Sequence, residues 1–195
     1  AELEKKTGAV AAVGMQGRYS PGVQYLKELL AGGEIGKPLF FHMTHFLPRF
    51  AVRSDHWWSA TRESGSGVLN IAMSHATEPL QFLLGDITSV CGMGETLLPA
   101  DQYTDTGEPF NWTAEDTAAV LARIDGGPQG VIHGSNLGTQ RSGFHLQVFG
   151  ERGQLVIGAP GYASYAPTRV YKAVRDEQAL VEMPVPERFY HAQKI

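Results

Sequence analysis

The chain has 195 residues, 43% hydrophobic and 18% charged, the proportions of an ordinary globular domain rather than a disordered segment, and this length buries roughly 70% of the unfolded surface. A formal net charge of -4, with sixteen Lys and Arg scattered along the sequence, lacks the basic excess that phosphate neutralisation requires, so nucleic acid is not an expected partner. No apolar run approaches the roughly 20 residues that cross a bilayer, and the opening AELEKKT is not a signal peptide; no membrane partner is expected and the chain reads as cytoplasmic.

In chain order, residues 1–7 read as the end of a helix closed by Gly8, and Ala9 to Val13 as a short apolar strand. Ser20 can N-cap a helix with Pro21 at its first position. That helix runs to about Ala31, with Val23, Leu26, Leu29 and Leu30 on one face and Gly32-Gly33 as its stop. Leu39 to Leu47, bounded by Pro38 and Pro48, suits a strand. Residues 48–66 show no sustained period and read as an irregular segment of functional length, anchored by Trp57 and Trp58.

From Gly67 to Leu84 the period is helical again, with Leu69, Ala72, Ala76, Leu80 and Leu83 or Leu84 facing a core and Gly85 ending the element. Strands then follow at 87–97, 117–124, 130–136, 144–149 and 155–157, with hairpin signals at Asp125-Gly126-Gly127-Pro128 and Gly150-Glu151-Arg152-Gly153. Helices followed by hairpin-linked strands predict an α+β domain: an open, mainly antiparallel sheet with helices packed on one face. The apolar strand faces of 117–157 exceed what two helices cover, which predicts a homo-oligomer formed through the sheet. Past residue 158 the Gly, Pro and Tyr content gives no clear elements.

Chemistry has few anchors. Gly14-x-x-Gly17 after a strand is only a fragment of the Gly-x-Gly-x-x-Gly dinucleotide fingerprint. No Gly-x-Ser-x-Gly elbow occurs. His42 and His45 would point to opposite faces of a strand, and six of the seven histidines (His42, His45, His56, His133, His145 and His191) have no partner at metal-ligand helical spacing, so no metal site is expected. Cys91 is the only cysteine, which rules out an intrachain disulfide or a thiolate cage and leaves a packed, inert thiol as the expectation. His75 differs from the other histidines. It lies within the long helix with Glu78 three residues on and Ile71 and Ser74 on the same side, where it is either a structural histidine or an imidazole aimed into a cleft as a general acid/base.

The string Gln16-Gly17-Arg18-Tyr19-Ser20-Pro21, followed by Lys27-Glu28-Leu29-Leu30 and Gly33-Glu34-Ile35-Gly36-Lys37-Pro38, resembles the opening of the C-terminal domain in the Gfo/Idh/MocA oxidoreductase family. The resemblance continues through Trp57 or Trp58, Gly65-Ser66-Gly67-Val68-Leu69, His75, Leu83-Leu84-Gly85, Glu115-Asp116 and Phe149-Gly150-Glu151-Arg152-Gly153-Gln154-Leu155, covering about residues 8–157. It implies a dihydrodipicolinate-reductase-like sheet domain that follows a Rossmann domain binding NAD or NADP. Residues 1–8 would then be a remnant of the Rossmann domain's last helix, and 9–195 a substrate and oligomerisation domain truncated at its C-terminus.

It further implies a sugar or polyol substrate and His75 as the proton-transfer residue, working with a Lys of the preceding domain. Arg18, Trp58, Ser74 and Glu78 would bind substrate, and Gln16 and Arg18 would touch the cofactor. The isolated chain is expected to bind no cofactor and to be inactive. Where the family's dehydrogenases commonly place an Asp four residues before the His, this chain has Ile71, which neither accepts a hydrogen bond nor raises a His pKa. Glu78 stands where an Asp usually follows the His. The departure opens a second reading, a ligand-sensing, non-catalytic regulatory protein of the same fold, like the galactose-regulon repressor of yeast.

Overall fold

A computed structural model describes residues 2–139, 142–164, 166–174 and 179–190. Three α-helices, α1 (Glu2–Thr7), α2 (Pro21–Ala31) and α3 (Ser74–Leu84), accompany ten strands among these residues. The strands are β1 (Pro38–Phe46), β2 (Ile87–Glu95), β3 (Ala100–Gln102), β4 (Pro109–Asn111), β5 (Thr117–Ile124), β6 (Gln129–Ser135), β7 (Gly143–Gly150), β8 (Gly153–Ala159), β9 (Arg169–Val174) and β10 (Val181–Met183). Eight of them form one sheet in the order β10-β9-β8-β7-β1-β6-β5-β2, and β3 and β4 form a separate hairpin. Only the β1–β6 ladder of that sheet is parallel. The expected α+β architecture is therefore the observed one.

The two-residue period of β1 sorts the sheet faces. Phe41, Met43 and His45 are buried, while Phe40 and His42 point the other way and are exposed, as the sequence predicts for His42 and His45. On the buried side α2 contributes Val23, Tyr25, Leu26 and Leu29, and α3 contributes Ala76, Leu80 and Leu83, against Ile132, Leu146, Leu155 and Ile157 of the sheet. Each fully buried aliphatic side chain of this set stabilises the fold by about 1.5–3 kcal/mol relative to exposure. Gly134 of β6 lets the helical layer approach closely: a Cβ there would lie 2.4 Å from Met73 Cγ.

No helix covers the opposite face among the described residues. Phe40 and Phe149 stack there with ring centroids 4.3 Å apart, and Leu121 and Met93 are exposed on the same face. Cys91 shares this face and is exposed, not packed as expected, because β2 is an edge strand with exposed residues along nearly its whole length.

Three further expectations change. Residues 9–13 form no strand, and Val10 and Val13 are 95% and 81% exposed; an apolar run becomes a strand only where a neighbour accepts its main-chain bonds, and no described strand pairs with it. Trp57 and Trp58 are exposed rather than anchoring the irregular segment. That anchor is Trp112, buried with Val52 and Ala60, its Nε1–H donating to Asp101 at 3.0 Å and its ring under the Arg49 guanidinium at 4.6 Å. The helix over 67–84 is not uniform either, which matters for the site.

Candidate functional site

Two irregularities bracket His75. Leu69–Met73 is a π-helical turn in which the Met73 N–H donates to the Val68 carbonyl, five residues back, at 2.7 Å. The five-residue step brings Val68 and Met73 onto the buried face and turns Leu69 outward, 40% exposed, against the expectation from a regular period. Beyond His75, Pro79 stands inside α3 and has no N–H to donate to the His75 carbonyl. The π turn is held at its start by Glu115, whose carboxylate accepts the Leu69 N–H at 3.1 Å and whose carbonyl accepts the Val68 N–H at 2.9 Å.

The His75 ring meets Tyr162 edge to face, centroids 5.2 Å apart, and Tyr162 meets His45 in the same way at 4.9 Å. His45 is buried, with its Nδ1 2.9 Å from the Ala72 carbonyl. Since a carbonyl only accepts, Nδ1 carries the proton and Nε2 is the bare nitrogen of the neutral ring. Burial holds the His45 pKa below its ordinary value, with the Ala72 bond opposing the shift and the charge of nearby His75 adding to it.

Arg18 comes from the turn Gly17–Tyr19 that leads into α2. Its main-chain N–H donates to Glu78 Oε2 at 3.1 Å and its guanidinium pairs with Glu78 Oε1, so the turn is clamped to α3. Glu78 is buried, while the Arg18 side chain stays 43% exposed and its guanidinium lies 5.5 Å from the Phe82 ring centroid. Gln16 is exposed at the head of this turn, its carbonyl accepting the Tyr19 N–H at 3.0 Å. Ser74 Oγ donates to the Ile71 carbonyl at 2.8 Å. Trp58 belongs to a separate segment, the 3-10 turns over Ser54–Ala60, with its carbonyl accepting the Ser66 hydroxyl at 2.8 Å and its ring 6.0 Å from His56.

The structure thus joins Arg18 to Glu78 and sets Ser74, His75 and Glu78 on one helix, with Trp58 apart. Sequence reasoning missed His45, Tyr162, Trp112 and Asn136. Tyr162 lies in the unreadable stretch past residue 158, and the others carry no local motif. With Ile71, the residues Tyr162, Trp112, Asn136, Phe50 and Ser59 are among those that line a small cavity of about 40 Å³ near His75. Among the described residues, no group of three or more His, Cys, Asp or Glu is placed to hold a metal ion, and no helix is long and apolar enough to cross a membrane.

An eight-stranded, mainly antiparallel sheet, helices on one face and an Arg-bearing entry turn clamped to the helix that carries a histidine define an open-faced α+β domain. Residues 23–156 match the GFO/IDH/MocA C-terminal domain family, and the chain belongs to that family. It is 29% identical over 161 residues to scyllo-inositol 2-dehydrogenase (NAD(+)) of Bacillus subtilis, covering 80% of this chain and 42% of that protein. It is 27% identical over 150 residues to an uncharacterized oxidoreductase of Synechocystis sp., covering 76% of this chain and 40% of the relative.

Among solved structures, a super-repressor mutant of Gal80p from Saccharomyces cerevisiae superposes with a TM-score of 0.79 at 14% identity, over 95% of this chain and 51% of the other. Levoglucosan dehydrogenase in complex with NADH and L-sorbose gives 0.74 at 20% identity, over 93% and 49%. At such identities these likenesses bear on fold alone. The chain spans about two-fifths of the length of the curated relatives it matches.

Proposed function

We propose that this chain is the substrate-binding and oligomerisation domain of an NAD(P)-dependent sugar or polyol oxidoreductase, in which His75 moves the proton of the reacting hydroxyl. The observation that carries the reading is the setting of His75. It stands between a π turn and a helix-interior proline, half-buried against Tyr162, on a helix whose apolar stripe is complete without it. π turns recur at functional sites because they re-aim side chains at a cost in helix regularity. Arg18 and Glu78 fix the entry turn against this helix, and Ser74 and the exposed Trp58 are the further groups proposed to touch substrate.

The sequence contains no Gly-x-Gly-x-x-Gly, and the Arg18 guanidinium is engaged by Glu78. Gln16 and Arg18 therefore fit the edge of a dinucleotide site but not its pyrophosphate cradle. NAD or NADP, when bound to a preceding domain, would supply the hydride chemistry. This chain's own contribution is to seat the sugar or polyol, to accept or return the hydroxyl proton at the His75 imidazole, and to pair the open sheet faces of neighbouring copies. Helix α1 buries no residue, in keeping with its being the end of a helix that belongs to that preceding domain, with residues 9–195 as the substrate domain. A relative named as an NAD(+) dehydrogenase of an inositol supports the substrate and cofactor class.

The test is His75→Ala in the full-length protein. Turnover should fall about 10²- to 10⁴-fold, the scale for losing a general acid/base, with stability within about 1 kcal/mol of the parent. A variant that unfolds easily but turns over normally while folded would refute the assignment. The sensor reading has one specific observation behind it: Ile71 lines the cavity near His75, where the family resemblance leads one to expect a carboxylate. A parent that binds sugar without oxidising it, equally with and without His75, would establish that reading instead.

A further inference from the structure

The cavity of about 40 Å³ near His75 has a mixed lining. Ile71, Phe50, Trp112 and Tyr162 are large and apolar or aromatic; of the polar residues, Ser59 has its hydroxyl bonded to the His56 carbonyl, and the other is Asn136. Asn136 is 7% exposed, and its Oδ1 is buried with no hydrogen-bond partner among the described residues. An acceptor stripped of water and left unbonded is costly unless something that enters the cavity donates to it. Tyr162 also meets the His75 ring, and Ile71 lies one helical turn before His75, so two residues of the cavity lining adjoin the histidine.

Resting on the functional reading above, we infer that this cavity is a specificity subsite that takes a small apolar substituent of the sugar or polyol, a deoxy or methyl-bearing carbon. Asn136 Oδ1 accepts a hydrogen bond from one adjacent hydroxyl. Size decides the first half: a volume of this order holds one or two water-sized groups, so it admits a substituent and not a ring. Chemistry decides the second. A hydroxyl placed against Ile71 would lose its water without gaining an acceptor, whereas a methyl placed there loses nothing. A carboxylate at residue 71 would have the opposite preference.

The experiment compares D-galactose with its 6-deoxy form, and D-glucose with its 6-deoxy and 2-deoxy forms, in the full-length protein with its cofactor. Both kcat/KM and calorimetric affinity are measured. The expected result is at least one pair in which the deoxy sugar is favoured about 10-fold or more, the scale set by one small group in an apolar pocket. Ile71→Asp should reverse that ratio. Ile71 is 37% exposed, so an Asp there is compatible with folding. Asn136→Leu should lower affinity for both members of the pair about equally while leaving their ratio intact.

A wild-type preference for the hydroxylated member of every pair, or a ratio unmoved by Ile71→Asp, would overturn the subsite. Absence of turnover with every sugar would refute the catalytic reading alone, and the calorimetric ratios would then decide the subsite. A 10-fold affinity preference that Ile71→Asp reverses would support it. Equal affinities, or no measurable binding of any of the sugars, would overturn it.

Discussion

The Nδ1 of His45 lies 2.9 Å from the main-chain carbonyl of Ala72, which ties the central strand of the sheet to the π turn that precedes His75. That bond needs a proton on Nδ1, and it makes a buried histidine part of the support of the candidate site.

Burial of the ring, not its bond to Ala72, makes acid loosen the domain. Burial lowers the pKa of His45 in the folded state below 6.5, and burial followed by the charge of His42 does the same to His145. The unfolded chain then binds more protons than the folded one as pH falls below about 6.5, so stability is full above that pH and is lost progressively towards the folded-state pKa values. Urea unfolding at pH 7.5 and 5.5 should give a lower midpoint in acid. His45→Gln should flatten the difference, and an unchanged midpoint in the parent would contradict the burial argument.

Gly67 and Gly65 should respond differently to alanine. Both have positive φ, but a Cβ at Gly67 would lie 2.3 Å from Glu115 Oε1, the atom that accepts the Leu69 N–H, while at Gly65 it meets nothing within 4 Å. Gly65→Ala should cost about 1–2 kcal/mol, the left-handed penalty alone. Gly67→Ala should cost clearly more, because Glu115 must also let go of the π turn. Thermal unfolding of the two variants is the measurement, and equal losses would dissociate Glu115 from that turn.

Clamping by Glu78 should be visible in stability. Its carboxylate is buried and accepts two bonds from Arg18, and charge-assisted bonds of this kind are worth about 1.5–3 kcal/mol each when made. Glu78→Ala should lower unfolding free energy by about 2 kcal/mol or more, and Arg18→Ala by less, since the main-chain N–H of residue 18 still reaches the carboxylate. The reverse order in denaturant melts would reassign the weight to the guanidinium.

Association should run through the open sheet face. Leu121 and Met93 are 60% and 70% exposed there, and a surface of that kind marks a protein interface. Sedimentation at tens of micromolar should show self-association that Leu121→Glu abolishes without loss of thermal stability. A single 21.2 kDa species for the parent would count against it.

Cofactor affinity offers the plainest measurement. Without a glycine-rich cradle in its sequence, the isolated chain should show no heat of binding with NAD or NADP in calorimetry. Micromolar affinity for either would mean that Gln16 and Arg18 form more than the edge of a site.

Local rules determined a good deal of this domain. The helix over 21–31 carries its first-position proline and terminal glycines, with Ser20 at the N-cap position but its hydroxyl toward Thr168 rather than capping, and the β5–β6 and β7–β8 hairpins carry their signals at Asp125–Pro128 and Gly150–Gly153. Such signals depend on φ preferences and missing N–H groups, which belong to the residues themselves. The family could be read from short strings in order for the same reason. Tertiary structure alone decided the rest. Residues 9–13 look like a strand but have no described neighbour to bond, and Cys91 is exposed because its strand falls at an edge. A π turn, which depends on Glu115 forty-six residues away and on Gly134 beneath Met73, turned Leu69 outward. The candidate site is of this second kind: His75 could be singled out by its place on a helix, but His45, Tyr162 and Asn136 reach it from three other segments, and contacts between distant segments leave no periodic trace in a sequence.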